Sequence, residues 1–353
     1  MVGGPLRVFR AALVALACTT ATAGIALAAC TSFSGDSGDV TTPDGSSDGA
    51  VPDGNGAAPD GGVGSFPPCG TFSGEPEALA VNEDGPTNVV ADAVSVYWAR
   101  QTGAIRTTSV RTPRQAADFL GDAGSNALVL TSGFVVWRHA VGITARAKQP
   151  PASPNVVLYT EGNATAPVTM SADKIAFARS FSILGRIVSV TPTFDDLLKD
   201  QASVTTLAYA EGQVSFLGQA DGGPPALFTC GAAGADCPRR AALLVSGVDG
   251  AVAIVADATY VYWVDDRVGK AFRVKRDVNA KPEAVMSGLT APFAIAVDEA
   301  HVYVAMRKGG VARAPKDGSP CAVTPNNVTV TSFALFDHFV YFTDVNSVRR
   351  LTK

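Results

Sequence analysis

With 353 residues, 47% of them hydrophobic and only 17% charged, the chain can bury a large interior. Its formal net charge of −4 is unevenly spread. Arg7 and Arg10 lie in the first 30 residues, which hold no acid, while Asp36, Asp39, Asp44, Asp48, Asp53 and Asp60 lie in 31–74, which hold no base. The remainder carries 26 basic and 26 acidic residues, so it has no global field to gather nucleic acid, and nucleic-acid partners are excluded.

Residues 1–29 read as a targeting segment, with Arg7 and Arg10 as a basic n-region and an Ala-rich apolar stretch from Ala11 that is too short to span a bilayer. It ends in Leu27-Ala28-Ala29-Cys30, which resembles a bacterial lipobox and implies acylation of Cys30. More than one acyl chain on that residue would make anchoring stable. Thr31 rather than Asp follows it, which by the same resemblance implies the outer membrane of a diderm host. The expected site is therefore the bacterial cell envelope, on the periplasmic side or the surface. Residues 30–68 then form a Gly/Asp/Pro/Ser tether with too little apolar surface to offset its ordering entropy.

From residue 69 to 353 the chain is expected to be one domain. Strands ending in a bulky residue recur at Trp98, Trp137, Phe177, Phe216, Trp263, Val304 and Phe342, in steps of 39, 40, 39, 47, 41 and 38. A β-type period of about forty predicts an all-β, seven-bladed β-propeller with one four-stranded blade per repeat. The best repeat predicts strands at Phe293–Val297, His301–Ala305 and Val311–Pro315, with a fourth near Asn327–Val330. Phe194–Leu198 reads as a short helical turn in blade three. The long step predicts an insertion over Asp221–Arg240 in blade four.

Pro76-Glu77-Ala78-Leu79 stands 22 residues before Trp98, as Pro282-Glu283-Ala284-Val285 stands 22 before Val304. The N-terminal copy is therefore an outer strand with no blade of its own. It is expected to close the ring by completing the last blade beside Val348–Leu351.

Of six cysteines, Cys18 leaves with the signal and Cys30 takes lipid. Cys230 and Cys237 are close enough for a local bridge, which leaves Cys69 with Cys321 in blade six. The close cysteine pairs of a zinc site are missing.

The strands Val261-Tyr262-Trp263-Val264-Asp265 and Val340-Tyr341-Phe342-Thr343-Asp344 resemble the Tyr-Trp-Thr-Asp repeats of receptor propellers and NHL-type blades. With the lipobox and tether, the chain is similar to propeller lipoproteins of the myxobacterial type. The resemblance implies a fold and a binding habit, and carries over no catalytic residue.

No nucleophile elbow, zincin helix or P-loop occurs, and the histidines are His139, His301 and His338 alone. No metal or cofactor is expected. The turns after the anchor strands place Arg100, Arg138, Arg179, Asp265, Asp266, Arg307 and Asp344 on one face, the candidate binding surface. The sequence thus points to a monomeric, non-enzymatic, lipid-anchored module for a protein or polysaccharide partner. The alternative is a metal-dependent lyase or lactonase working in the channel.

Overall fold

A computed structural model describes residues 72–353 apart from 113–114, 122, 126, 149–153, 161–166, 172–173, 180–181, 188–193, 199–202, 220–222, 231–240, 278, 318, 320 and 323–327. The expected signal, the expected lipidation site Cys30, the expected tether, Cys69 and Cys237 all lie outside the described residues.

The first strand is β1 (Ser73–Val81). Blade one follows as β2 (Pro86–Ala91), β3 (Ser95–Arg100), β4 (Ile105–Ser109) and β5 (Ala117–Leu120). Blade two is β6 (Ala127–Leu130), β7 (Phe134–His139), β8 (Gly142–Ala147) and β9 (Val156–Tyr159). Blade three is β10 (Val168–Ser171), β11 (Lys174–Arg179), β12 (Ser182–Ile187) and β13 (Phe194–Leu198). Blade four is β14 (Ser203–Ala210), β15 (Gln213–Gln219), β16 (Ala226–Cys230) and β17 (Ala242–Ser246). Blade five is β18 (Ala251–Ala256), β19 (Tyr260–Asp265), β20 (Lys270–Lys275) and β21 (Glu283–Ser287). The sixth sheet is β22 (Pro292–Val297), β23 (His301–Met306) and β24 (Gly310–Pro315), followed by the short β25 (Cys321–Ala322). The last strands are β26 (Ser332–Phe336), β27 (Phe339–Thr343) and β28 (Ser347–Thr352).

Each sheet is an antiparallel meander whose strands are designated A to D from the channel outward. The innermost strands β2, β6, β10, β14, β18, β22 and β26 follow one another around the ring, with β26 again beside β2. β1 lies antiparallel to β28, with Glu77 opposite Arg350 and Ala80 opposite Val348, so the first described strand is the outer strand beside the last one.

Seven blades were expected, but the structure shows six complete blades: among the described residues six sheets have four antiparallel strands, one of them with the parallel β25 added, and the β22–β24 sheet has only three. The fourth strand expected near Asn327–Val330 is not a strand over 328–330. The Val328/Val330 alternation instead serves packing, since both side chains join the core between β22–β24 and the last blade. β25 pairs in parallel with β21, Cys321 opposite Met286, so Cys321 stands on the edge of blade five rather than in blade six. Phe194–Leu198 is β13 and not a helical turn, because pairing with β12 (Leu184 opposite Asp196) overrides local preference. The blade-four insertion is shorter than expected, since Ala226–Cys230 is the C strand and only the stretch after it connects to β17.

The packing explains the bulky anchors. Each B strand is buried on both faces, so successive residues fill opposite blade interfaces. Tyr262 and Val264 join the cluster shared with the β22–β24 sheet, whereas Val261 and Trp263 join the one shared with blade four. Trp98, Phe177, Phe216, Val304 and Phe342 are essentially inaccessible. A strand buried on both sides cannot alternate polar with apolar, hence runs such as Val-Tyr-Trp-Val.

Candidate functional site

The B–C turns and the D-to-A connections share one face, and the A–B and C–D turns share the other. The seven candidate residues all fall on the B–C face, but their side chains do different things there.

Arg100 ends β3 with Nε 3.3 Å from Oε2 of Glu83, a carboxylate only 5% exposed. Trp98 donates its indole N–H to the same oxygen at 3.0 Å, and Arg106 Nη2 approaches Oε1 at 3.5 Å. The Glu83 backbone N–H donates to Asn346 O at 2.9 Å. Arg100 therefore belongs to a buried knot that fixes the passage from β1 into blade one. Arg138 ends near the rim of blade two, where burial lowers its pKa. Arg179 closes β11, and its side chain lies outside the described residues.

The aspartates close turns. Asp265 Oδ1 accepts from the N–H groups of Arg267 (3.0 Å) and Val268 (3.2 Å). Its carboxylate lies against Gly250, where a Cβ would collide with it. Asp344 Oδ1 accepts from the N–H groups of Asn346 (3.0 Å) and Ser347 (2.7 Å), and Oδ2 accepts from Arg349 Nε at 2.9 Å. Burial raises the pKa of Asp344, but the bonds from Ser347 and Asn346 and the nearby Arg349 outweigh it, and the net shift is downward. Asp266 and Arg307 are exposed, the latter with its guanidinium 5.1 Å from the centroid of Phe293.

Exposed apolar side chains also gather on this face. Val81, Val141, Val252, Val268 and Val345 are all on it, whereas Val94 sits on the A–B face and Val157 and Leu243 on outer strands. Sequence reasoning passed over these valines because a single turn valine carries no signal until the turns are assembled on one side.

The opposite face holds an arrangement the sequence reading missed. Asp257 Oδ1 closes its A–B turn by accepting from the N–H groups of Thr259 and Tyr260. Its Oδ2 accepts from the Tyr262 hydroxyl at 3.0 Å and from Lys316 Nζ at 2.6 Å. Lys316 follows the C strand of the next sheet, so the contact crosses between neighbours. Asp298 repeats the plan with Ala300, His301, Tyr303 and Lys353. Asp92 caps Val94 and Ser95 and meets Lys148 of blade two at 2.9 Å. Arg276 donates across to Ala210 O and Gln213 O of blade four. The signal was present: a cation directly after the C strand, and Asp five residues before a B-strand Tyr, both in phase with the repeat.

The histidines follow suit. His139 Nε2 lies 2.8 Å from Thr144 Oγ1, and burial lowers its pKa. His301 packs edge-on to Tyr303, while His338 is an exposed turn residue. The innermost strands contain no His, Asp, Glu, Lys or Arg. Among the described residues no three His, Cys, Asp or Glu side chains cluster as a metal site requires.

No family model and no curated protein matches the chain. Solved structures do. Virginiamycin B lyase from Staphylococcus aureus superposes with a TM-score of 0.61 at 13% identity, covering 79% of this chain and 99% of the lyase. PorZ, an essential surface component of the type-IX secretion system of Porphyromonas gingivalis, gives 0.60 at 13% identity over 77% of this chain and 37% of PorZ. U3-55K gives 0.60 at 11% identity over 80% of this chain and all of that one. These likenesses establish the propeller fold and nothing finer, since they join an enzyme to proteins of other kinds.

Proposed function

We propose that this protein is a non-catalytic binding module of the bacterial cell envelope, held to the outer membrane through lipid on Cys30 and engaging a protein partner with its B–C face. One observation carries the binding part of this reading: the exposed valines concentrate on the B–C face, while on the A–B face Asp92, Asp257 and Asp298 are each paired with a lysine of the neighbouring sheet. Apolar groups on turn tips have a cost in water and a use at an interface.

The anchor fits the geometry. β1 begins at Ser73, opposite Thr352, whose neighbour Lys353 meets Asp298 on the A–B side. The described chain therefore begins on the A–B side of the ring, and an attachment made there would leave the B–C face clear. In the same reading Cys230 and Cys237 form a local bridge and Cys69 joins Cys321.

A photo-crosslinking residue placed in cells at Val268 or Val345 is expected to give a discrete adduct, and one at Val94 none. Equal adducts on both faces, or adducts at Val94 alone, would overturn the assignment of the face. Cys30→Ala is expected to move the protein from the membrane to the soluble fraction, and a variant that stays membrane-bound would remove the lipid anchor from the account.

A further inference from the structure

We infer that the part of the B–C face over blade five and the β22–β24 sheet docks an acidic protein segment with apolar side chains. The inference deepens the binding reading above and rests on it, because it assigns that face a definite patch and a partner chemistry.

The patch is continuous through the backbone. The Leu289 N–H donates to Gly269 O at 3.0 Å, and the Arg307 N–H donates to Ala291 O at 3.1 Å. The B–C turn of blade five, the connection 288–291 and the B–C turn of the next sheet thus form one strip. Val268 is 56% exposed at the first turn, and Val252, at a β-bulge where the inner strand β18 of the same blade begins, is 41% exposed.

Four exposed cations stand on the strip: Arg267 and Lys270 flank Val268 at its turn, and Arg307 and Lys308 form the turn of the next sheet. Among the described residues none of them forms an ion pair, whereas Arg100, Arg106 and Arg349 on the other sectors are each paired with a carboxylate. The acids in the strip are Asp249 and Asp266, both exposed, and Asp265, whose Oδ1 is occupied by its own turn. Four cations without an ion-pair partner against three carboxylates leave the strip with a small positive surplus.

A surplus of that kind selects an anionic partner and speeds its encounter. The apolar groups decide which anionic partner. Val252 and Val268 offer contact area to aliphatic side chains, and Arg is favoured at protein interfaces for joining apolar to charged contact. A polysaccharide would want a flat aromatic face for its rings, and the face of Phe293 is already covered by the Arg307 guanidinium.

The test is selection of peptides from a displayed random twelve-residue library on immobilised full-length protein. The expected result is enrichment of sequences combining Asp or Glu with Val, Leu or Ile. Their affinity should fall about tenfold or more in the double variant Arg267→Glu/Lys308→Glu, and fall with rising salt. Val268→Ser should weaken them too, whereas Lys281→Glu, an exposed substitution near the opposite face, should leave them unchanged. Selected peptides that are neutral or basic, or that bind the double variant normally, would overturn this inference while leaving a binding module intact. Failure to enrich any peptide would sink both. Dextran sulfate binding as tightly as the peptides, with Val268→Ser without effect, would replace the protein partner by an anionic polysaccharide.

Discussion

Replacing Asp257 by Ala should destabilise the domain well beyond an ordinary surface substitution on the A–B face. The Asp257 side chain is 20% exposed and Lys316 17%, so the pair is shielded without being sealed from water. Three losses follow together. The turn loses the acceptor for the N–H groups of Thr259 and Tyr260, a cap of about 1 kcal/mol by analogy with helix caps. The Tyr262 hydroxyl, on a residue 1% exposed, loses its acceptor at about 1–2 kcal/mol. The Lys316 ammonium loses its partner, which at this exposure is about 1 kcal/mol. The total of about 3–4 kcal/mol corresponds to roughly 5–7 °C in Tm for a domain of this size. Equilibrium urea denaturation of Asp257→Ala, Lys316→Met and the double variant separates the contributions. The pair should show a coupling of about 1 kcal/mol, and Lys316→Met alone should cost less than Asp257→Ala because it leaves the turn and the tyrosine satisfied. An Asp257→Ala protein within about 0.5 kcal/mol of the parent, or additive single effects, would refute the claim that this contact binds neighbouring sheets.

Two further outcomes follow from the same geometry. Burial raises the pKa of Asp257 and Asp298, but bonds from Lys316, Tyr260 and Thr259 in the one, and from His301, Lys353 and Tyr303 in the other, outweigh it and lower the folded values. The unfolded chain then binds more protons in acid, so this stabilisation is complete above about pH 4 and is lost as pH falls through the depressed folded values. Asp257→Asn should flatten the acid limb of a stability–pH curve, and an unchanged limb would contradict the assignment. At Gly269, with φ +60°, a Cβ would strike the Leu289 carbonyl, so Gly269→Ala should cost about 2 kcal/mol while Gly121→Ala, with open space around it, stays near neutral by thermal melts.

The fold was legible where one residue type answers one demand. A B strand buried on both faces must be bulky and apolar throughout, so Trp98, Trp263 and Phe342 announce their blades at a fixed beat. The copy of Pro-Glu-Ala at 76–78 located β1 because an outer strand looks the same wherever the chain enters. Other segments misled for physical reasons. Val328 and Val330 alternate like a strand yet only fill an interface, and Phe194–Leu198 is a strand by virtue of its partner β12. The candidate residues lie at or just after the ends of B strands and so share one side of the ring, but what their side chains do there could not be sorted in advance. Arg100 and Arg307 occupy equivalent turns, and only the presence of Glu83 beside the first separates a structural arginine from an exposed one.

The two faces of the ring divide their work, and the division follows from the meander itself. Each A–B turn lies beside the end of the next blade's C strand, so an acid in the turn and a cation after the strand meet across every interface where the repeat supplies them, as at Asp92–Lys148, Asp257–Lys316 and Asp298–Lys353. Cohesion can therefore be built once and copied with the repeat. Among the described residues the B–C turns share no such ion pair; their carbonyls at Gly103, Pro225 and Gly269 accept from the connection to the next blade, and the turns are closed locally by a carboxylate or glycine, as at Asp265, Asp344 and Gly269. Their tips are free of a structural duty and can differ from blade to blade without loosening the ring. That freedom is what allows Val268 and the unpaired cations around it to stand exposed on one sector, and it is why a partner is to be sought on the variable face of an otherwise repetitive molecule.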